Sequence, residues 1–341
     1  MKPRGGSEPG ISILKPLAGA DLGLESNLRT FFEQDYPAFE ILFAVRREDD
    51  PSVAIVRRLQ LEYPSAPARL LIVGEPPYPN AKVFSLDSMT RVASHEILVM
   101  SDSDIRVTPG MLRVIAAEFS DAKVGLVTCP YRAVAGPSFW SRLEAVGMNT
   151  QFLSGMLAAR MLEGMKFAVG PTIAARKSVL AAIGGFDNLK DYLAEDFVMG
   201  KLAFEAGFGV ILSSYAIEHH IGSQPFLKNA THRLRWHRST RCSRPKGYVG
   251  EVFTNPLPLA LLALAADMHY WPMAVVAAAF RYWSAWSVSV RILHEPLAPG
   301  MIFLQDCLAF LFWIGGFFGN TIDWRGIKYR LNRDGRFHPI L

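Results

Sequence analysis

Cysteine is scarce in this chain. The three present, Cys129, Cys242 and Cys307, show neither metal-ligand spacing nor a disulfide framework, so reduced thiols in a cytoplasm-facing protein are expected. No strand is followed by G-x-G-x-x-G, which disfavours a dinucleotide-binding dehydrogenase. The opening Met1 to Gly10 lacks the apolar core of a signal peptide and leads straight into a strand. Acidic residues are missing from His219 to Gly250, where Lys228, Arg233, Arg235, Arg238, Arg241, Arg244 and Lys246 accumulate. What the chain has in excess is apolar: half of its 341 residues are hydrophobic, concentrated towards the C-terminus. A net charge of +5 carried in clusters suits anionic lipid or a phosphorylated substrate at least as well as nucleic acid, and no nucleic-acid partner is expected.

The first half alternates strand and helix. Ile11 to Leu14 reads as a buried strand, Leu22 to Glu33 as a helix, Phe39 to Val45 as a strand, Ser52 to Tyr63 as a helix and Arg69 to Gly74 as a strand. Such alternation with short loops predicts a doubly wound α/β sheet. Carboxylates close the second strand at Asp49 and Asp50. The polar loop Asn80-Ala81-Lys82 precedes a helix over Val83 to Ala93, so Lys82 can meet a phosphate at a helix N-terminus, or can simply be solvated.

The chain is organised around His95 to Leu112. Ile97 to Met100 is apolar without alternation, as in a buried parallel strand, and delivers Asp102 and Asp104 to a strand end, where open α/β sheets bind ligands. Two residues apart on extended backbone, these carboxylates lean to one side. One or both could hold a hard divalent ion, Mg²⁺ or Mn²⁺, whose other sites go to phosphate oxygens. The alternative is a turn aspartate followed by a loop cap.

Further on, Trp140 to Lys166 reads as one methionine-rich helix, too often interrupted by charge to cross a bilayer. Tyr192 to Phe197 opens a helix that carries Glu195 and Asp196. The dipole alone explains an acid there; beside a metal and a sugar, Asp196 would serve as general base, with Glu195 the fallback. Glu218-His219-His220 at a strand end offers a metal ligand or solvated imidazoles. In the acid-free segment, Arg235 is a candidate for a diphosphate or acceptor contact, with Trp236 stacking on sugar or packing at an interface. Beyond Phe253, Pro256 to Ala266, Trp271 to Val290 and Gly300 to Asn320 are apolar, so two or three membrane helices are expected, with Arg325, Lys328, Arg330, Arg333 and Arg336 keeping the end of the chain cytoplasmic.

Together these stretches resemble the ceramide glucosyltransferase family from about Ile11 to Leu331. The marks are Leu14-Lys15-Pro16-Leu17 with Gly19 and Asp21, then Phe31 to Pro37, Asp49-Asp50-Pro51, and Asp102-Ser103 with Ile105-Arg106-Val107. Leu193 to Asp196, Arg235-Trp236, Trp324-Arg325 and Tyr329-Arg330-Leu331 complete the set. The resemblance implies a membrane-bound inverting transferase with a glycosyltransferase-A fold, a mixed sheet with helices on both faces followed by transmembrane helices. It further implies that Asp50 or Asp49 contacts uridine, that Asp102 helps bind the metal diphosphate, that Asp196 is the base, and that Lys15, Lys82, Glu195, Arg235 and Trp236 bind substrate. His232 departs from the family's Gln/Arg-x-x-Arg-Trp pattern, and the family's usual N-terminal apolar helix has no counterpart ahead of Ile11.

The expected division is a tail over 1–10, a catalytic domain over 11–227, a basic interfacial segment over 228–252, a membrane region over 253–322 and a basic tail over 323–341. The expected reaction moves a hexose, glucose, from a UDP-sugar to a membrane lipid, ceramide, on the cytoplasmic face of a multi-pass protein. Hopanoid or diacylglycerol acceptors, a processive polysaccharide synthase, and a catalytically silent nucleotide-sugar sensor are the alternatives.

Overall fold

A computed structural model describes residues 8–324 and 326–340; most of the expected N-terminal tail and Arg325 lie outside the described residues. In chain order the elements begin with β1 (Ile11–Pro16), α1 (Leu24–Phe32), β2 (Phe39–Val45), α2 (Pro51–Glu62), β3 (Ala68–Ile72) and α3 (Ala81–Val92). Next come β4 (Ile97–Ser101), β5 (Ile105–Arg106), α4 (Met111–Glu118), β6 (Val124–Thr128), β7 (Tyr131–Ala135), α5 (Phe139–Gly147) and α6 (Leu153–Glu163). They continue with β8 (Thr172–Arg176), α7 (Lys177–Ala182), α8 (Glu195–Glu205), β9 (Gly209–Leu212) and β10 (Ile217–Ile221). The last are α9 (Phe226–Ser243), α10 (Pro245–Gly250), α11 (Pro256–Ala266), α12 (Trp271–Trp286), α13 (Pro299–Gly316), β11 (Thr321–Trp324), β12 (Ile327–Leu331) and β13 (Phe337–Pro339).

The chain divides into two units, each discontinuous: the residues up to Pro130 with Met165–His219, and Tyr131–Gly164 with the residues from His220 on. In the first, seven strands run in the order β3-β2-β1-β4-β8-β6-β9. Strands β1 to β4 pair in parallel, and β8 runs antiparallel between β4 and β6. The sheet is therefore mixed. Strand β4 has every residue buried, as its unbroken apolar run requires, and joins β1 on one side and β8 on the other. The order of the strands reverses beside β1, where the crevice of an open α/β sheet forms. Leu14, Leu42, Leu98, Met100 and Ile173 from the sheet pack with Val83, Leu86 and Met89 of α3 and Met199 of α8, which fixes the helices that carry the site.

The second unit is mainly helical. The helix expected over Trp140 to Lys166 is broken by a π turn at Met148–Phe152. The reason is local: Asn149 donates to the carbonyl of Ala133 (2.9 Å) and accepts from its N–H (2.7 Å), tying the turn to β7. The expected basic tail is partly a sheet, with β12 antiparallel to both β11 and β13. Ile322, Tyr329, Leu331 and Phe337 bury alternate positions there, while the basic side chains between them face out.

Among the described residues one helix, α13, is long and apolar enough to cross a membrane; Pro245–Thr254 and Pro256–Ala266, bent by 69° at their junction, would together make a second. All three cysteines are free thiols, two of them buried.

Candidate active site

In the first unit, side chains from β1, α3, the β4 end, the loop before β8 and the start of α8 meet beyond the C-terminal end of β4. Lys15, expected to bind substrate, is wholly buried: its ammonium donates to the backbone carbonyl of Asp102 and to Ser101 Oγ (3.3 Å), and sits 3.8 Å over the Phe31 ring. Burial lowers its pKa to about 7, against the pull of Asp102 and Asp104. It holds the strand end from beneath.

Asn80 caps α3, accepting from Val83 N–H at 3.1 Å, and its amide donates to the carbonyl of Tyr192 (2.8 Å) and to Glu195 (3.4 Å). That cap fixes the register of Lys82, whose ammonium lies 2.7 Å from Asp102 and 3.1 Å from Glu195. Burial disfavours the charge, but Asp102 and Glu195 outweigh it and hold the lysine protonated. For Asp102 burial pushes the carboxyl upward against Lys82, with Asp104 and Glu195 adding to the rise.

Asp104 has a different partner, with Oδ2 at 3.1 Å from His219 Nε2. Burial would raise this carboxyl, yet His219 holds it below the usual range. Strand pairing explains the meeting, since His219 on β10 is registered opposite Ile105 on β5. Oδ1 of Asp104 is buried with no hydrogen-bond partner among the described residues.

Asp196 stands in the first turn of α8. Burial and the neighbouring Glu195 raise its pKa to about 7, with Lys82 pulling the other way. A carboxylate poised there is matched to proton abstraction near neutral pH. Gly170 lines the same small cavity with Lys82, Glu195 and Asp196. Nothing in the sequence around Gly170 marks that role; only the fold brings the loop before β8 against α8.

The remaining candidates are placed as follows. Asp50 is the N-cap of α2, accepting from Ser52 N–H (2.9 Å), Ser52 Oγ (2.6 Å) and Gly19 N–H (3.0 Å), so it joins the loops after β2 and β1. Asp49 beside it is exposed and paired with Arg47 at 3.2 Å. Arg235 and Trp236 lie on α9 in the second unit, where the Trp236 ring packs on His232 at 4.4 Å between centroids.

Among the described residues no three carboxylate, imidazole or thiol groups converge as a complete metal cage. The set nonetheless suits Mg²⁺ or Mn²⁺, which are usually held by one or two carboxylates plus substrate phosphates and water. The unpartnered Asp104 oxygen is a hard donor of that kind.

The mixed seven-stranded sheet with its helices is that of the A-type glycosyltransferase fold. The fold is shared with a mannosyltransferase from Pyrobaculum calidifontis solved with GDP-mannose and Mn²⁺, at a TM-score of 0.56, 18% identity, and coverage of 89% of this chain and 87% of that one. The model for glycosyl transferase family 21 matches residues 1–337. Ceramide glucosyltransferase 1 of Caenorhabditis elegans is 27% identical over 96% of this chain and 73% of its own length. Ceramide glucosyltransferase of Komagataella phaffii is 36% identical over 30% of this chain and 21% of its own. The chain belongs to glycosyl transferase family 21, the ceramide glucosyltransferase family that its motifs resemble, and is a hexosyltransferase.

Proposed function

We propose that the chain transfers glucose from UDP-glucose to the primary hydroxyl of ceramide, with inversion at the anomeric carbon. The observation that carries this is the meeting of Lys82, Asp102, Glu195 and Asp196 at one small cavity, where the half-buried Asp196 has its pKa raised to about 7. In a one-step displacement Asp196 takes the proton from the acceptor hydroxyl, the hydroxyl oxygen forms the bond to the anomeric carbon, and the bond from that carbon to the diphosphate oxygen breaks, releasing UDP. One base suffices for inversion.

The other residues position the donor. Lys82 meets the diphosphate with its permanent charge at the N-terminus of α3, where the helix dipole adds to it. Lys15 keeps the β4 end in place by bonding Ser101 and the Asp102 carbonyl. The Asp49–Asp50 loop meets the uracil, with Asp50 holding the loop's shape through Gly19 and Ser52. Asp102 and Asp104 would hold Mg²⁺ or Mn²⁺, which when bound supplies charge neutralisation for the departing diphosphate. Arg235 and Trp236 take the roles their motif implies, contact with diphosphate or acceptor, and a lipid surface is the acceptor's source.

The purified chain supplied with UDP-glucose is assayed on ceramide, diacylglycerol and hopanoid acceptors, and the product is read by NMR. A β-glucoside of ceramide is expected. An α-linked product would overturn the mechanism, exclusive use of another lipid would overturn the acceptor, and long polymer would mark a processive synthase. Absence of transfer or UDP release with every acceptor would leave the silent-sensor reading.

A further inference from the structure

The helix of spanning length is anchored by polar contacts along one face. Helix α13 is packed along α9: the Arg233 guanidinium lies 4.6 Å over the Phe312 ring and bonds Gln305 at 3.2 Å. Further along, Arg238 donates to the carbonyl of Phe318 (3.1 Å) and Arg241 to that of Gly319 (3.0 Å), capping the end of α13. Helix α9 is among the most basic stretches of the chain and has no acidic residue. Carrying α13 across the hydrocarbon would carry α9's arginines with it, which a bilayer strongly disfavours. Asp306, in the middle of α13, is wholly buried against Arg281 of α12 at 2.7 Å. Helix α13 is thus tied to its own unit along the face of Gln305, Asp306 and Phe312, while Phe303, Leu304 and Leu311 are exposed on another.

Helices α11 and α12 carry a long run of exposed apolar side chains with little charge. Leu257 at the start of α11, Ala285 near the end of α12 and Ile302 near the start of α13 form one cluster, which sets the base of a hairpin. Away from that base the hairpin is bare: Met268 is 70% exposed, Trp271 62%, Val276 67%, Phe280 62% and Trp283 63%. From Val252 to Phe280 the single charged residue is Asp267. Its carboxylate accepts from the N–H of His269 (2.9 Å) and contacts the His269 ring (2.8 Å), so the turn satisfies its own polar groups. Exposed basic residues flank the hairpin, Lys246 before it and Arg291 after it, complementary to anionic headgroups. At 11 residues α11 is roughly 16 Å long, about half of a ~30 Å hydrocarbon core. It reaches into one leaflet and no further.

We infer that the α11–α12 hairpin inserts into a single leaflet of an anionic bilayer. The partner is a lipid surface, which the hairpin enters and does not cross. This goes beyond the reading of the reaction and is independent of which lipid accepts the sugar.

The test uses the full chain reconstituted in sealed phosphatidylglycerol/phosphatidylethanolamine vesicles, with single cysteines at the hairpin tip (His269→Cys) and in the exposed C-terminal sheet (Arg333→Cys), labelled by a membrane-impermeant maleimide. The unsubstituted chain controls for Cys307. In the fraction whose C-terminal-sheet thiol reacts from outside, the tip cysteine is expected to react with neither external nor lumenal reagent, and to react at least tenfold faster once detergent is added. Reaction of the tip with lumenal reagent would show a hairpin that crosses and would overturn the inference. Reaction from outside as fast as in detergent would show that the hairpin stays out of lipid, and would overturn it equally. Sugar transfer is measured on the same preparations, so loss of the catalytic reading is seen separately.

Discussion

Gly170 faces Asp196 so closely that a Cβ at position 170 would lie 2.6 Å from the carboxylate Oδ2. The glycine is there for the space it leaves. Gly170→Ala is expected to push the carboxylate aside and lower kcat by about 10- to 100-fold, since small displacements of a catalytic group cost on that order. UDP affinity should stay within about twofold of the parent, as Asp196 is remote from binding in the one-step scheme. In an Asp196→Asn background the same substitution should add nothing; a further loss would show that Gly170 acts elsewhere.

Asp196→Asn itself is expected to lower kcat by about 10²-fold or more while UDP titrations remain unchanged. The active form is the deprotonated one, so kcat/KM of the parent should climb as pH rises through about 7. Stability should show the opposite cost. With its folded pKa raised to about 7 from the ordinary ~3.9, the fold keeps a proton that the unfolded chain releases between those values, so stability falls as pH rises from about 4 to about 7 and is level above. The Asn variant escapes that penalty. Its Tm advantage should be absent below about pH 4, grow from about pH 4 to about pH 7 and level off above; a constant difference would contradict the assignment.

The lysine between Asp102 and Glu195 should separate binding from chemistry. Lys82→Met removes the cation that lies within 3.1 Å of both carboxylates, and is expected to weaken UDP binding about tenfold or more by calorimetry. Asp102→Asn should weaken UDP binding only when Mg²⁺ or Mn²⁺ is present. Equal loss with and without the metal would remove Asp102 from any metal role.

The buried pair in the second unit predicts an asymmetric result. Arg281 donates to both oxygens of Asp306 at 2.7 Å and to Thr150 Oγ1 at 3.0 Å. Arg281→Met leaves a buried carboxylate without its partner and should destabilise the protein by about 3–5 kcal/mol in chemical unfolding. The double variant Arg281→Met with Asp306→Leu should recover most of that loss, because two apolar side chains leave no buried charge.

The strands and most of the helices were readable from the sequence because their determinants are local. The unbroken apolar run at 97–100 and the alternation of apolar strands with helices state their structure within a few residues, whereas the caps at Asp50 and Asn80 appear only in the fold. The candidates Asp102, Asp196 and Lys82, an acid after a strand, an acid at a helix start and a lysine in the loop before a helix, are brought together in the first unit. The rest depends on distant partners. That Lys15 lies under the site instead of in it follows from Phe31 and Ser101 closing over it. Gly170 carries no signal of its own, and His219 is set against Asp104 by the pairing of two short strands far apart in the chain. Apolarity alone does not say whether protein or lipid covers a helix, and the contacts of α9's arginines with α13 are a tertiary fact that no local pattern carries.

The chain leaves the seven-stranded sheet after β6 and rejoins it at β8, although those two strands are hydrogen-bonded neighbours. What lies between, 131–164, finds its partners in segments made much later: Glu144 with Asn229, Gln151 with Asn255 (2.7 Å), Thr150 with Arg281. On the ribosome this methionine-rich stretch waits for roughly a hundred residues or more before its cover emerges, an interval in which chaperone or membrane must shelter it. The same wiring governs dissection of the enzyme. No single cut separates the sheet from the helical unit, and ending the chain near Gly250 strands α5 and α6 without Arg281 and Gln305. A soluble catalytic unit needs two cuts, one removing everything after β10 and one replacing 131–164 with a short turn between neighbouring strands.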